Sequence, residues 1–253
     1  MLLWFAATDI GRVRTANQDA YAAFSLPQPA QAHVFAVADG MGGAQAGDVA
    51  SSMALHVLEE CLAQWNAGLD APPSPGDVMG AMEEALVTAN DRLVAEAARD
   101  PSRAGMGTTL TAAYVKDLSF VFAHVGDSRL YKVFPDGRME QLTVDHALVT
   151  ELVRSGQITA EQARTHPQRH ILTEALGLAR RPQVQTAQGS LEAGEGLLLC
   201  TDGLTSTVTD AEIGAALVEQ PHDPHRLIAL ANQRGAPDNV TLLVVWPGGG
   251  GSP

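Results

Sequence analysis

The chain is short of cations, of cysteine and of long runs of uniform character, and each shortage removes a class of protein. Its 16 Lys and Arg stand against 29 Asp and Glu, a formal net charge of -13. A nucleic-acid footprint needs clustered cations to displace phosphate counterions, so no nucleic-acid partner is expected. Cys61 and Cys200 are the only cysteines; far apart in apolar surroundings, they read as small core residues in a reducing, cytoplasmic compartment rather than as a disulfide framework. The apolar run Met1–Ala7 has no basic leader and stops at Thr8-Asp9, too short for a signal-peptide core or a spanning helix, so it reads as a first strand and no membrane partner is expected. No internal repeat and no long polar tract is visible. What is present is 253 residues with 45% apolar content, enough for one well-filled core. One domain is expected over residues 1–247, with the Gly-rich stretch 248–253 as a disordered tail.

Short apolar and β-branched runs mark strands at Val34–Ala38, Thr108–Val115, Phe120–Val125, Leu130–Phe134, Gly196–Cys200 and Val240–Trp246. The close spacing of the three runs between Thr108 and Phe134 predicts antiparallel hairpins. Helix starts are written in capping residues. Ser74-Pro75-Gly76-Asp77 opens a helix to about Ala98, Thr209 with Glu212 opens another, and Asp223-Pro224 begins one that stops near Gly235. An earlier helix follows Gly47, with Ala50, Ala54, Val57, Cys61 and Trp65 on one face. Strands in hairpins with helix pairs between them predict an α+β sandwich. The weakly apolar stretch from Asp145 to Gly177 is expected to be a mobile flap over a site.

The informative pattern is where the aspartates fall. Asp39-Gly40, Gly126-Asp127 and Asp202-Gly203 each follow an apolar strand, and Asp238-Asn239 stands before one. A carboxylate at a strand end is held by rigid backbone, and the adjoining glycine lets another group approach closely. If these rims converge, like-charge repulsion raises their pKa values unless a cation neutralises them. Mg²⁺ and Mn²⁺ suit that task, because hard ions take oxygen ligands and keep several waters. Taken singly, each Asp-Gly is a common turn pair. Arg14 and Asp19, in the polar segment Asp9–Asp19, add a side chain fit for bidentate phosphate recognition and a further carboxylate.

These blocks carry a resemblance. Asp9–Asp19, Asp39-Gly40-Met41-Gly42-Gly43 with Gly47, Gly107-Thr108-Thr109, Gly126-Asp127-Ser128-Arg129, Leu142–His146, His166-Pro167 through Leu176-Gly177, Asp202-Gly203-Leu204 and Asp238–Thr241 occur in register. Together they resemble the type 2C (PPM) family of metal-dependent serine/threonine protein phosphatases in its compact bacterial form. The resemblance implies an α+β fold, a central antiparallel sandwich of two sheets flanked by helix pairs in four layers, αββα. It implies two Mn²⁺ or Mg²⁺ ions, with a third site as in bacterial members. By that similarity Asp39 bridges two metals, Asp202 and Asp238 complete the first, the Gly40 carbonyl ligates the second, and Asp19 holds the second metal's waters. Asp127 with Asp202 forms the third site, and Arg14 clamps the substrate phosphate. The implied activity is hydrolysis of phosphoserine and phosphothreonine on proteins by a hydroxide bridging the ions, opposing a bacterial Ser/Thr kinase, in a monomer. Neither cysteine is followed six residues later by arginine, as a cysteine-dependent phosphatase would need.

Three positions depart from the family pattern. Met41 stands where animal members place a histidine that protonates the leaving group, Gln18 replaces a glutamate, and Glu174 stands where bacterial relatives often carry arginine. Two other readings stay open: a non-catalytic phosphoprotein-binding module of the same fold, and a phosphatase for small phosphoesters. His166 and His170 have the spacing of zinc ligands but read as a polar flap turn, and His124 reads as a satisfied core histidine. Asp145 reads as a helix cap beside His146. The glycines 40–43 do not complete a dinucleotide fingerprint, and no Gly-Lys-Ser or Gly-Lys-Thr follows.

Overall fold

A computed structural model describes residues 2–43, 46–178 and 180–247, and the Gly-rich tail lies outside the described residues. The elements in chain order are β1 (Leu2–Asp9), β2 (Asp19–Leu26), β3 (Ala32–Met41), α1 (Ala46–Ala67), α2 (Pro75–Arg99), β4 (Gly107–Thr108), β5 (Leu110–Lys116), β6 (Ser119–Val125) and β7 (Arg129–Val133). Then follow β8 (Met139–Gln141), α3 (Leu148–Arg154), α4 (Ala160–Arg164), β9 (Gln185–Ser190), β10 (Gly196–Cys200), α5 (Asp202–Thr205), α6 (Asp210–Glu219), α7 (His225–Gln233) and β11 (Val240–Pro247). One sheet has the order β1-β11-β10-β7-β8 and the other β2-β3-β5-β6-β9, with β4 paired to the end of β3.

The layering follows from strands that are apolar on both faces. In β3, Phe35 and Val37 point into the gap between the sheets, where they meet Phe122, Leu199 and Leu243. Val34 and Ala36 point the other way, onto Leu58 and Leu62 of α1 and Met82 and Leu86 of α2. The second sheet repeats this: Leu198 and Val244 face outward onto Ile213, Leu217 and Leu227 of α6 and α7. A strand buried on both faces reads as a continuous apolar run, which is why these strands were visible in sequence. Each such Leu or Phe contributes about 1.5–3 kcal/mol on burial. The result is the four-layer αββα architecture. No helix among the described residues is long and apolar enough to cross a membrane.

The α2 start is as expected. The Ser74 hydroxyl accepts from the Asp77 amide, the Asp77 carboxylate accepts from the Ser74 amide at 2.9 Å, and Pro75 occupies the first turn. Four expectations need correction. The β6–β7 connection is no hairpin, because β6 and β7 belong to different sheets and Gly126-Asp127-Ser128 crosses between them. Gly126 makes the crossing with φ +113°, and a Cβ there would lie 2.5 Å from Thr109 Cγ2; the Ser128 hydroxyl lies 2.7 Å from that of Thr109, tying the crossing to β5. Helix α1 begins at Ala46, so Gly47 lies inside it. Cys61 is only partly buried, whereas Cys200 is buried, and both are free thiols. Asp145 caps nothing: α3 has Ala147 at its N-cap with no side-chain bond, and Asp145 instead takes three hydrogen bonds of 2.7–3.1 Å from the Arg129 guanidinium.

The stretch expected as a flap carries α3 and α4, neither of which buries a residue. Its two ends are paired by the Ala147–Leu172 bridge, and it joins the sandwich through backbone: Thr108 bridges Leu176, and the His146 amide donates to the Gly126 carbonyl at 2.7 Å. The crossing at Gly126 therefore carries both sheets and the flap. Gly126→Ala is expected to destabilise the protein by about 2 kcal/mol or more, from a left-handed φ together with a steric overlap. Urea denaturation measures it, and a midpoint matching the parent's would remove this account of the crossing.

Candidate active site: a buried carboxylate cluster

The aspartates meet because two backbones hold them side by side. Asp19, the first residue of β2, is the register partner of Asp39 in β3. Asp39 lies two residues inside the strand end, and its backbone is pinned on both sides: its amide donates to Thr109 Oγ1 at 2.9 Å, and its carbonyl accepts from the Thr109 amide and the Thr108 hydroxyl. At Gly40 a Cβ would fall 2.0 Å from the Gly47 carbonyl oxygen, so only glycine allows α1 to start there. From the other sheet, Thr201 at the end of β10 donates to Asp19 Oδ2 at 2.8 Å. Asp202 follows as the first residue of α5. Asn239 fastens the N-terminal loop to β11: its side-chain oxygen accepts from the Gln18 amide, and its side-chain amide donates to the carbonyls of Ile10 and Ala16. Arg14 on that loop reaches Asp238 at 2.7 Å.

The electrostatics follow from burial with little compensation. Desolvation, then the charges of Asp19, Asp202, Asp127 and Asp238, push the Asp39 carboxyl well above the usual range. Burial raises Asp19 to about 7, opposed by its bonds to Thr201 and Thr241 and reinforced by Asp202 and Asp238. Asp127 is driven up by burial and by Asp202 and Asp145, and Asp202 by burial and Asp238. Among the described residues Arg14 is the one arginine hydrogen-bonded to the cluster, since Arg129 is engaged by Asp145 and Tyr131 and acts on Asp127 and Asp202 only through space. Asp19 Oδ1 and Asp202 Oδ1 are buried without a hydrogen-bond partner.

Orphaned carboxylate oxygens of this kind fit a hard cation. Among the described residues no three carboxylate, imidazole or thiol groups close around a single point. Mg²⁺ and Mn²⁺ do not need that closure, because such ions keep several waters and are commonly held by one or two carboxylates each. All the predicted site residues, Arg14, Asp19, Asp39, Gly40, Asp127, Asp202 and Asp238, belong to this one region. A cleft of about 640 Å³ opens from Asp127 and Asp202 beneath α3 and α4, with Arg164, Arg169 and His170 on its flap side.

Several features had no sequence signal or a misread one. The Thr201 bond to Asp19 joins residues 182 apart in sequence, and only the fold could show it. Asn239 beside Asp238 was visible, but its role as a clip on the N-terminal loop was not. Glu174, within the flap stretch, is buried, with one oxygen on Arg180 at 2.9 Å and the other unpartnered. His124 is the satisfied core histidine expected, bonded to Thr111 and facing the Val144 carbonyl, with burial lowering it to about 3. His166 and His170 lie in a turn, not a helix.

The fold and site define a class, the two-sheet phosphatases with an aspartate-rich cleft. The Protein phosphatase 2C model matches residues 11–232, and the chain belongs to the protein phosphatase 2C family. It is 39% identical over 243 residues to the serine/threonine phosphatase stp of Listeria innocua, covering 94% of this chain and 93% of that one. It is 38% identical over 247 residues to the serine/threonine protein phosphatase PstP of Mycobacterium tuberculosis, of which it spans 45%. Among solved structures, the S. agalactiae serine/threonine phosphatase superposes with a TM-score of 0.87 at 34% identity, covering 97% and 99% of the two chains. The catalytic domain of a PstP in complex with two manganese ions superposes with a TM-score of 0.76 at 34% identity, covering 96% and 97%.

The Asp19 shift has a thermodynamic sign. Its folded pKa, about 7, exceeds the unfolded value of about 4, so between these the native state holds the extra proton and stability falls as pH rises. Without divalent metal, the melting temperature is expected to fall between about pH 5.5 and pH 7.5, and Asp19→Asn is expected to flatten that slope. Ion binding requires the deprotonated form, so the stabilisation by Mn²⁺ should be larger at the higher pH. Scanning calorimetry with and without Mn²⁺ checks both; a metal-free stability that rises with pH across this window contradicts the electrostatic account.

Proposed function

We propose that this protein hydrolyses phosphoserine and phosphothreonine on protein substrates with the help of two Mn²⁺ or Mg²⁺ ions, opposing a bacterial Ser/Thr kinase. The observation that carries the reading is that Asp19, Asp39, Asp127, Asp202 and Asp238 lie close enough for their charges to raise one another's pKa values, with Asp127 and Asp202 opening on the cleft and two buried oxygens unpartnered. Asp39 would serve both ions, Asp202 and Asp238 the first, and the Gly40 carbonyl and Asp19 the second, with Asp127 and Asp202 offering a third position. The bound cations would supply charge neutralisation and Lewis-acid activation of water at phosphorus. The names and the manganese content of the related proteins support this assignment of activity and metal.

The chain's own residues then position the substrate. Arg14 is half exposed, and one guanidinium nitrogen is held by Asp238, which leaves the rest of the fork able to take a phosphate. The flap side brings Arg164 and Arg169 to the cleft that opens from Asp127 and Asp202, cations suited to a phosphorylated peptide. Met41 ends β3 opposite Gly107 and has no proton to give, so the departing alkoxide takes its proton from another source. We further propose that residues 1–247 act as one catalytic domain, monomeric and cytoplasmic.

Asp39→Asn and Asp202→Asn are each expected to abolish Mn²⁺-dependent hydrolysis of a phosphothreonine peptide. Arg14→Ala is expected to raise KM about tenfold or more, the loss of a charge-assisted contact to phosphate. Steady-state kinetics read both. Wild-type protein that binds the peptide without turning it over would favour a binding module instead, and turnover confined to small phosphoesters would reassign the substrate class.

A further inference from the structure

At the end of the sandwich away from the carboxylates lies a second cleft, of about 580 Å³, between the start of α2 and strands β5, β6 and β9. The distance follows from register. Leu110 pairs with Val125 at the carboxylate end and Lys116 with Ser119 at the other, so the length of β5, about 20 Å, separates the two. Tyr114, Lys116, Ser119 and Gln188 present themselves on one face, because Tyr114 pairs with Val121, Lys116 with Ser119 and Val121 with Gln188. Pro75 and Val78 of α2 form the opposite wall.

Two polar groups in this cleft have no use within the fold. Tyr114 is 4% exposed, and its hydroxyl is buried with no hydrogen-bond partner. A hydroxyl left so costs about 1–3 kcal/mol, and native structures rarely tolerate it without a water or ligand. Lys116, two residues along the same strand face, makes no ion pair among the described residues. The α2 terminus contributes wall and not charge, since Ser74 and Asp77 already occupy its first turn. Asp117 is the one carboxylate in the lining. Beside Lys116 it leaves little net field, which favours a monoanion over a dianionic phosphate. The size is that of a small-molecule pocket.

We propose that this cleft is a second ligand site, taking a small organic carboxylate whose acid group bonds the Tyr114 hydroxyl and the Lys116 ammonium while its apolar body lies against Val78 and Val121. The proposal does not depend on the phosphatase reading, because none of its residues belongs to the carboxylate cluster. A ligand seated there would cross-link the start of α2 to the β5–β6 hairpin.

The test is titration of the ¹⁵N-labelled full chain with benzoate, with benzyl alcohol as the uncharged control of similar shape. Benzoate is expected to give saturable amide shifts at residues 114–121 and 186–190, and benzyl alcohol much weaker ones. Tyr114→Phe and Lys116→Met are each expected to weaken benzoate about fivefold or more, the loss of one hydrogen bond or charge contact. Lys116→Met alters a surface side chain and keeps the test readable if Tyr114→Phe folds poorly. Shifts confined to the neighbourhood of Arg14, equal affinity for benzyl alcohol, or unchanged affinity in Lys116→Met would each overturn the site. In that event a lone water satisfies Tyr114.

Discussion

The structure is organised around an electrostatic conflict: several carboxylates are buried together where two sheets meet, with one bonded arginine against them. Like charges directly opposite in an antiparallel pair are destabilising, yet Asp19 and Asp39 occupy that relation. Desolvation adds to the cost and lifts Asp39, Asp127 and Asp202 above their usual range. A fold tolerates such a cluster only if the rest of it over-determines the backbone, or if external positive charge completes the site.

The backbone is over-determined here. Asp39 is bracketed by Thr108 and Thr109, and the Thr109 hydroxyl also reaches Ser128 at the inter-sheet crossing. Asp19 is tied across the sandwich to Thr201, and Asn239 holds the loop that carries Arg14. At Gly203 a Cβ would fall 1.9 Å from the Asn239 carbonyl oxygen, so α5 can bring Asp202 close to β11 only without a side chain at 203. The three apolar layers supply the stability that this polar end lacks. Such pre-positioning is what a cation site needs, because ligands that do not move at binding cost little reorganisation.

Much of this was legible in the chain, for a physical reason. Strands buried on both faces spell themselves as apolar runs, and the aspartates at their ends stood out against them. The edge strands β2 and β9 did not: β9, Gln185–Ser190, has Ala187 as its single apolar side chain, and β2 mixes small and exposed residues, whereas β1, also at an edge, begins with an apolar run. The crossing at Gly126-Asp127-Ser128 looked like a hairpin because a short Gly-Asp-Ser link fits either route. What decides is the pairing of β7 with β10, a contact between segments far apart in sequence. Asp145 was misread for the same reason. Its partner Arg129 belongs to a strand, and local capping chemistry says nothing about it.

The flap shows how the conflict at the cluster shapes what surrounds it. With no buried residue in α3 or α4, those helices sit at the low end of local stability, and the segment is positioned by the buried Ala147, Ala175 and Leu176 near its ends and by a few polar ties. The Arg129–Asp145 pair is the strongest, since its partly buried, multiply bonded geometry resists solvent screening better than an exposed pair does. It also holds the Arg129 guanidinium by hydrogen bonds to Asp145, so Arg129 acts on Asp127 and Asp202 only through space. Were Arg129 free to turn toward Asp127 and Asp202, it would neutralise part of the charge that an incoming cation is meant to meet. Anchoring the flap and leaving Asp127 and Asp202 without a hydrogen-bonded arginine are thus done by one ion pair.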